Sequence, residues 1–245
     1  MQWSGEGLLI GVRRHGETSV IAEAMVVGRG RHLGLVRGGR SPKLAATLQA
    51  GNSVQLVWRA RIEEHLGTYA VELLEGRAAE LIEDRRRLYL SGLVCEHLRL
   101  LPERDPHDRL MAMALELLDR TPDPAALARF EMTLLDELGF GLDLSSCAVT
   151  GLTHDLTHVS PRSGRAVSSG AAEPYRGRLL DLPPFLADDA MLTDAVSAAD
   201  LAAAFRLTGH FLDLHVWQSR GIDIPTTREP LIALLIPEPV AAPAQ

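Results

Sequence analysis

The chain has 245 residues, 46% hydrophobic but only 4% aromatic, enough for one large globular domain or two modest ones with cores of Leu, Val and Ala. Two cysteines, Cys95 and Cys147, exclude a disulfide framework, and no apolar run or leader pattern marks a membrane span or secretion, so a soluble, cytoplasmic protein is expected. The net charge of −7 hides a division by position: residues 1–62 carry nine basic and three acidic side chains, a net of +6, against −13 for the rest.

The first eighty residues read as strands. Gly7–Arg13, Ser19–Val27, Arg31–Arg37, Ser53–Arg61 and Thr68–Leu74 are short apolar or β-branched runs separated by Gly-rich turn chemistry. In the fourth run Val54, Leu56 and Trp58 share one face, which makes Trp58 a core residue. Leu44–Leu48 suits a short helix between the third and fourth strands. Five strands with a helix after the third is the layout of an OB-fold, a small barrel that often binds oligonucleotides; an SH3-like barrel fits almost as well.

From about residue 83 the period becomes helical. Arg85–Leu101 carries an apolar stripe of Leu90, Leu93, Val94, Leu98 and Leu101. Asp105-Pro106 and Asp123-Pro124 each offer an N-cap followed by proline at the first helical position, and Gly139 closes the second of these helices. In the latter, Phe130 is expected inside, with Arg129 and Glu131 outside. A last helix is predicted from Ser197 to Gly221. Residues 145–193, rich in Gly, Ser, Pro and Thr, read as irregular, and the Pro/Ala-rich tail 237–245 as disordered. The predicted class is therefore α+β multidomain: a barrel over 1–80 and a helical domain over 81–236 that contains the irregular insert.

A basic block can be a solvated surface or a polyanion site. Arg29 and Arg31 fall at a hairpin tip, Arg37, Arg40 and Lys43 in and beside Gly38-Gly39, and Arg59 and Arg61 on one strand face, where they could track a phosphate backbone. Aromatics for base stacking are scarce, so such binding should be mostly electrostatic. The glycines lack phosphate-loop spacing, and no G-x-S-x-G elbow is present, so neither nucleotide hydrolysis nor a serine hydrolase is supported. His154 and His158 stand four apart, as in a helical zinc site, but Gly151 and Pro161 leave no room for the helix. Cys147, His154 and His158 are a weak metal candidate, and exposed loop histidines are the better expectation.

The stretch Arg129-Phe130-Glu131-Met132-Thr133-Leu134-Leu135-Asp136-Glu137-Leu138-Gly139-Phe140-Gly141-Leu142 resembles the central helix of the RecO recombination-repair family. Cys147-Ala148-Val149-Thr150-Gly151, Val159-Ser160-Pro161-Arg162-Ser163-Gly164 and Leu207-Thr208-Gly209-His210-Phe211 follow in the family's order. Gly16-Glu17-Thr18-Ser19 and Val36-Arg37-Gly38-Gly39-Arg40-Ser41 match its N-terminal part. The resemblance implies an N-terminal OB-fold joined to a helical domain. It implies a non-enzymatic DNA repair and recombination mediator that binds single- and double-stranded DNA and anneals complementary strands. Its partners would be RecR, in many organisms RecF, and single-strand binding protein, on whose DNA it helps load RecA; it would work in the cytoplasm, at the nucleoid.

Carried over by residue, the family's basic surface falls on Arg13, Arg14, Arg29, Arg31, Arg37, Arg40, Lys43, Arg59 and Arg61, and the contact to the acidic tail of single-strand binding protein on Arg129. Many relatives hold structural zinc with two C-x-x-C pairs in the insert. Here Thr150 replaces the second cysteine after Cys147, and Arg162–Ser169 lacks the other pair, so a zinc-finger-like insert without zinc is expected and no cofactor. The rival readings are a protein-bridging adaptor that does not touch DNA, and a metallohydrolase built on His154 and His158.

Overall fold

Five N-terminal runs, apolar or β-branched in the main, form strands between turns made by left-handed glycines such as Gly16, Gly28 and Gly67. The computed structural model describes residues 1–62, 64–187 and 196–236. These fall into two compact units, Met1–Pro122 and Asp123–Gln245.

In the first unit β1 (Gln2–His15), β2 (Ser19–Val26), β3 (Gly30–Val36), β4 (Ser53–Arg59) and β5 (Thr68–Glu75) close into a barrel in the order β1-β2-β3-β5-β4, with helix α1 (Pro42–Ala45) after β3. That is the predicted layout, with one strand longer than its apolar run. β1 serves two neighbours: Gln2–Leu8 pairs with β4 and Gly7–His15 with β2, and a register shift between Leu9 and Gly11 turns it from one to the other. Inside lie Leu9, Val20, Ala22, Val36, Leu48, Val54, Leu56, Trp58 and Tyr69. Gly34 is required beneath Tyr69, since a Cβ there would stand 2.3 Å from the ring.

Closure is uneven. β1–β2, β2–β3, β1–β4 and β4–β5 are antiparallel ladders of seven or more pairs, but β3 meets β5 in parallel at one pair, Leu35 with Thr68.

Three helices pack within the same unit: α2 (Ala78–Glu83), α3 (Arg85–Leu98) and α4 (Asp108–Asp119). The helical period begins near residue 83 as predicted, while packing groups these helices with the barrel. Asp84 caps α3 by accepting from the Arg86 amide at 2.8 Å. The helix expected to start at Asp105-Pro106 instead starts at Asp108, because 104–105 is used against the β2–β3 turn. The Arg104 amide donates to the Arg31 carbonyl at 2.8 Å, and a Cβ on Gly30 would lie 1.8 Å from the Asp105 carbonyl oxygen. Arg77, 5% exposed, joins the parts. Its guanidinium donates to Asp119, the Gly51 carbonyl, the Ser53 hydroxyl and Glu75 at 2.6–3.0 Å, and its amide donates to the Asn52 side chain at 2.9 Å.

The second unit begins with α5 (Pro124–Glu137), capped by Asp123 and closed past Leu138 by Gly139 at φ 83°, as predicted. The insert is more regular than predicted. β6 (Leu156–Val159), β7 (Ala166–Ser168) and β8 (Leu180–Asp181) form a sheet in the order β7-β6-β8, with α6 (Ser169–Ala172) and a 3-10 turn Glu173–Arg178 between β7 and β8. Four-residue strands of mixed polarity carry no readable period, which is why composition suggested loop. α7 (Pro184–Ala187) follows; the rest of the insert and the tail 237–245 lie outside the described residues. α8 (Ala198–Leu212) widens into a π-turn at Asp213–Trp217 and continues as α9 (Gln218–Arg220) to Gly221, and α10 is Arg228–Leu235.

Glu131 corrects the expectation of an outward carboxylate: it is fully buried. Arg228 from α10, 3% exposed, grips it bidentately, Nε to Oε1 and Nη2 to Oε2 both at 2.8 Å, while the Thr208 hydroxyl of α8 donates to Oε2 at 2.5 Å. Burial works against the charged guanidinium, but Glu131 outweighs it and holds the Arg228 pKa up. A period-3.6 reading places residue 131 beside the core face and cannot see a partner 97 positions away. Removing only the guanidinium leaves a buried carboxylate without its counter-charge. Arg228→Ala should therefore cost about 3–5 kcal/mol in urea unfolding followed by far-UV circular dichroism, and Glu131→Leu with Arg228→Met should recover most of it.

Candidate nucleic-acid interface

The nine predicted basic residues have different local environments. Arg13 and Arg14 end β1 and are exposed; Arg37 follows β3, Lys43 lies on α1, and Arg61 follows β4, all exposed. None of these five side chains makes a hydrogen bond or ion pair among the described residues. Arg40 is exposed but donates to the Glu17 carbonyl, fastening the loop after β3 to the β1–β2 turn, and its amide donates to Thr18 at 3.1 Å. Arg59 is exposed and donates through Nε to Gln2 at 3.0 Å.

Two residues stand apart at the β2–β3 turn, separated from the β1–β2 turn by the length of β2, about 26 Å at ~3.3 Å per residue. Arg29 is exposed and lies over the Trp3 ring, 4.8 Å from its centroid. Arg31, assigned to the same surface, is a structural residue. Its guanidinium pairs with Glu23, itself 8% exposed, and donates to the Leu101 carbonyl at 2.7 Å; Arg99 takes the other Glu23 oxygen at 2.8 Å. With its Nε and Nη1 so engaged, Arg31 is a poor candidate for phosphate.

Rings gather at that end of the barrel. Trp3 stacks on Trp58 at 5.8 Å, and His32 meets both edge-on at 5.0 and 5.1 Å. Trp58 is fully buried, as the alternation predicted, and its indole donates to the Leu66 carbonyl at 3.0 Å. Burial pushes the His32 pKa down, and the nearby charges of Arg104 and Arg29 add to this against the opposing Leu33 carbonyl, so the ring is neutral near pH 7. His32 thus adds no charge to the surface.

A groove of about 470 Å3 lies over the β3–β5 seam. Val36, Val57, Tyr69 and Val71 line it, Leu44 of α1 forms a wall, and Arg37 and Arg59 border it. Two guanidinium groups chosen from sequence for their charge therefore share a site. The groove's apolar lining was missed, because Thr68, Ala70 and Val71 read as ordinary strand residues and nothing local marks the seam as thinly paired.

In the second unit, Arg129 is half-buried and engaged within the chain. Its Nη2 donates to the Phe185 carbonyl at 3.1 Å, its guanidinium carbon lies 5.1 Å from the Phe185 ring centroid, and its buried Nε has no hydrogen-bond partner among the described residues. His154 and His158 do not share a helix. His154 is exposed in a bend, whereas His158 is half-buried on β6, 3.7 Å from Asp181. Cys147, 1% exposed, accepts from the Ser168 amide at 3.3 Å and the Ser168 hydroxyl at 3.4 Å. Its sulfur thus anchors β7 to the turn before β6. Among the described residues no three His, Cys, Asp or Glu side chains converge as metal ligands, so the candidate of Cys147 with both histidines has no geometric support.

Two family models match: "Recombination protein O N terminal" over residues 1–77 and "Recombination protein O C terminal" over 82–220. A DNA repair protein RecO of Methylobacterium nodulans is 53% identical over 240 residues, 96% of this chain and 98% of its own length. Those of Sinorhizobium medicae and Methylocella silvestris are each 51% identical, covering 94% and 95% of this chain and 92% and 95% of theirs.

The two kinds of arginine are separable in stability. Arg31→Ala should lower the unfolding free energy by about 1–3 kcal/mol, the scale of lost charged hydrogen bonds. Arg37→Ala should change it by less than about 0.5 kcal/mol, as expected of an exposed side chain without partners. Equal effects in urea unfolding would contradict this division.

Proposed function

The chain belongs to the RecO family of DNA repair and recombination proteins, and from that premise we propose that it is a recombination mediator whose barrel binds single- and double-stranded DNA and anneals complementary strands. With RecR, and RecF where present, it helps load RecA onto DNA coated by single-strand binding protein, acting at the nucleoid. It catalyses no covalent step. The observation that carries the DNA-binding part is the set of exposed cations Arg13, Arg14, Arg37, Lys43, Arg59 and Arg61 on one small barrel, two of them bordering an apolar groove.

The mechanism is charge screening. Two strands repel through their phosphates, and cations fixed on a folded surface replace mobile counterions around both. Release of those counterions favours the complex and makes it salt-sensitive. With about six phosphates neutralised, the log–log dependence of single-strand affinity on salt should have a slope on the order of −4. Arg37→Glu with Lys43→Glu should flatten that slope and weaken binding by at least about tenfold, with little change in melting temperature, because neither side chain has a partner among the described residues. A salt-independent wild type, or an unaffected double variant, would favour the adaptor reading. A strand-annealing assay with and without single-strand binding protein tests the activity as a whole.

The acidic tail of single-strand binding protein is the proposed ligand of Arg129, where a tail carboxylate would compete with the Phe185 carbonyl for the guanidinium. Arg129→Ala should lose about tenfold or more in affinity for a tail peptide, measured by anisotropy, with oligonucleotide binding unchanged. Loss of both would point to a general folding defect rather than to a lost contact.

A further inference from the structure

We propose that the groove at the β3–β5 seam is a nucleotide pocket that admits one unstacked base of a single strand while Arg37 and Arg59 hold the flanking phosphates. The inference rests on the DNA-binding reading above and specifies which form of the polymer the barrel grips.

Three features lead there. The groove, about 470 Å3, falls within the size range of small-ligand sites, roughly 300–1,000 Å3. Its lining joins cations to apolar side chains: Arg37 and Arg59 are exposed, Val36, Val57 and Val71 line it with them, and among the described residues no carboxylate does. A phosphodiester chain matches that arrangement, because each base offers a flat face for the apolar walls and carries anionic phosphates on either side of it for the two guanidinium groups. The seam is also thinly paired. β5 continues to Glu75, but its pairing with β3 ends at Leu35 and Thr68, so the strand edge next to the groove can meet the polar rim of a base.

Discrimination follows from geometry. In a duplex each base is stacked and paired and cannot enter without being extruded. In a single strand it turns outward at little cost. Because the walls are aliphatic and Tyr69 is 5% exposed, contact is by packing rather than ring stacking, which makes the pocket tolerant of sequence.

The test uses the full chain and three labelled ligands of about 20 nucleotides: an oligothymidylate, an abasic strand with the same number of phosphates, and a duplex. The wild type should bind oligothymidylate about tenfold more tightly than the abasic strand. Ala70→Trp, which fills the groove from an exposed position, should abolish that difference while leaving abasic and duplex affinities within about twofold of wild type. Leu44→Asp, on the α1 wall, should act in the same direction, and melting curves verify that both variants fold. Equal wild-type affinities for oligothymidylate and abasic strand, or a uniform loss for all three ligands in folded Ala70→Trp, would overturn the pocket while leaving DNA binding in place. A wild type that binds none of the three would overturn the DNA-binding reading and the pocket with it.

Discussion

Arg77 is the constraint on which the barrel unit depends. A buried guanidinium is costly unless its donors are matched, and this one is matched by groups from separate segments: the turn before β4, β4 itself, the end of β5 and α4. Asn52, 1% exposed, extends the network. Its side chain donates to the Ala46 and Thr47 carbonyls and accepts from the Arg77 amide, while its backbone pairs with Leu9. The loop carrying α1 is thereby fixed to the start of β4 and to β1. Arg228 has the corresponding role in the second unit, where it binds Glu131 and the Phe205 carbonyl and so ties α10 to α5 and α8.

The same residue type is therefore found both buried inside the folded units and exposed on the barrel, and this limits what could be read from sequence. With 24 arginines and one lysine, composition cannot distinguish a guanidinium that closes a core from one that waits for a phosphate. The succession of strands along the chain, the Asp123-Pro124 helix start, the buried Trp58 and the Gly139 stop were legible because each follows from local chemistry within a few residues. Glu131 was misplaced because its partner Arg228 lies 97 positions away. The engagement of Arg31 was hidden in part for the same reason: Glu23 is only 8 positions from it, but the Leu101 carbonyl it reaches is 70 positions away. The sheet of the insert was missed for a related reason. Strands as short as Ala166–Ser168 are stabilised by pairing and by the buried Cys147 sulfur rather than by any period of their own.

The candidate groove also depends on a long-range feature. Five strands closing in the order β1-β2-β3-β5-β4 place the third beside the fifth, and the two can pair only where their directions and twist permit, at Leu35 and Thr68. Past that point the strands separate and α1 stands over the gap with Leu44 as a wall. Arg37 lies one residue after β3 and Arg59 at the end of β4, so the geometry that opens the seam also carries both charges to its borders.

Net charge has to be considered at this scale. Residues 1–62 carry +6, but the compact unit that contains them, Met1–Pro122, has seventeen basic and sixteen acidic side chains, a net of +1. At physiological salt the Debye length is about 8 Å, so a ligand responds to the charges nearest it rather than to the sum. Several acids of this unit are already paired: Glu23 with Arg31 and Arg99, Glu75 and Asp119 with Arg77. Among the described residues the exposed cations without an ion-pair partner include Arg13 and Arg14 before the β1–β2 turn, Arg37 after β3, Lys43 on α1, Arg59 and Arg61 at the end of β4, and also Arg29 at the β2–β3 turn and Arg109 on α4. A nearly neutral body can therefore present locally positive surface, and the pairing of Glu23 with Arg31 leaves less of it than the segment charge implies.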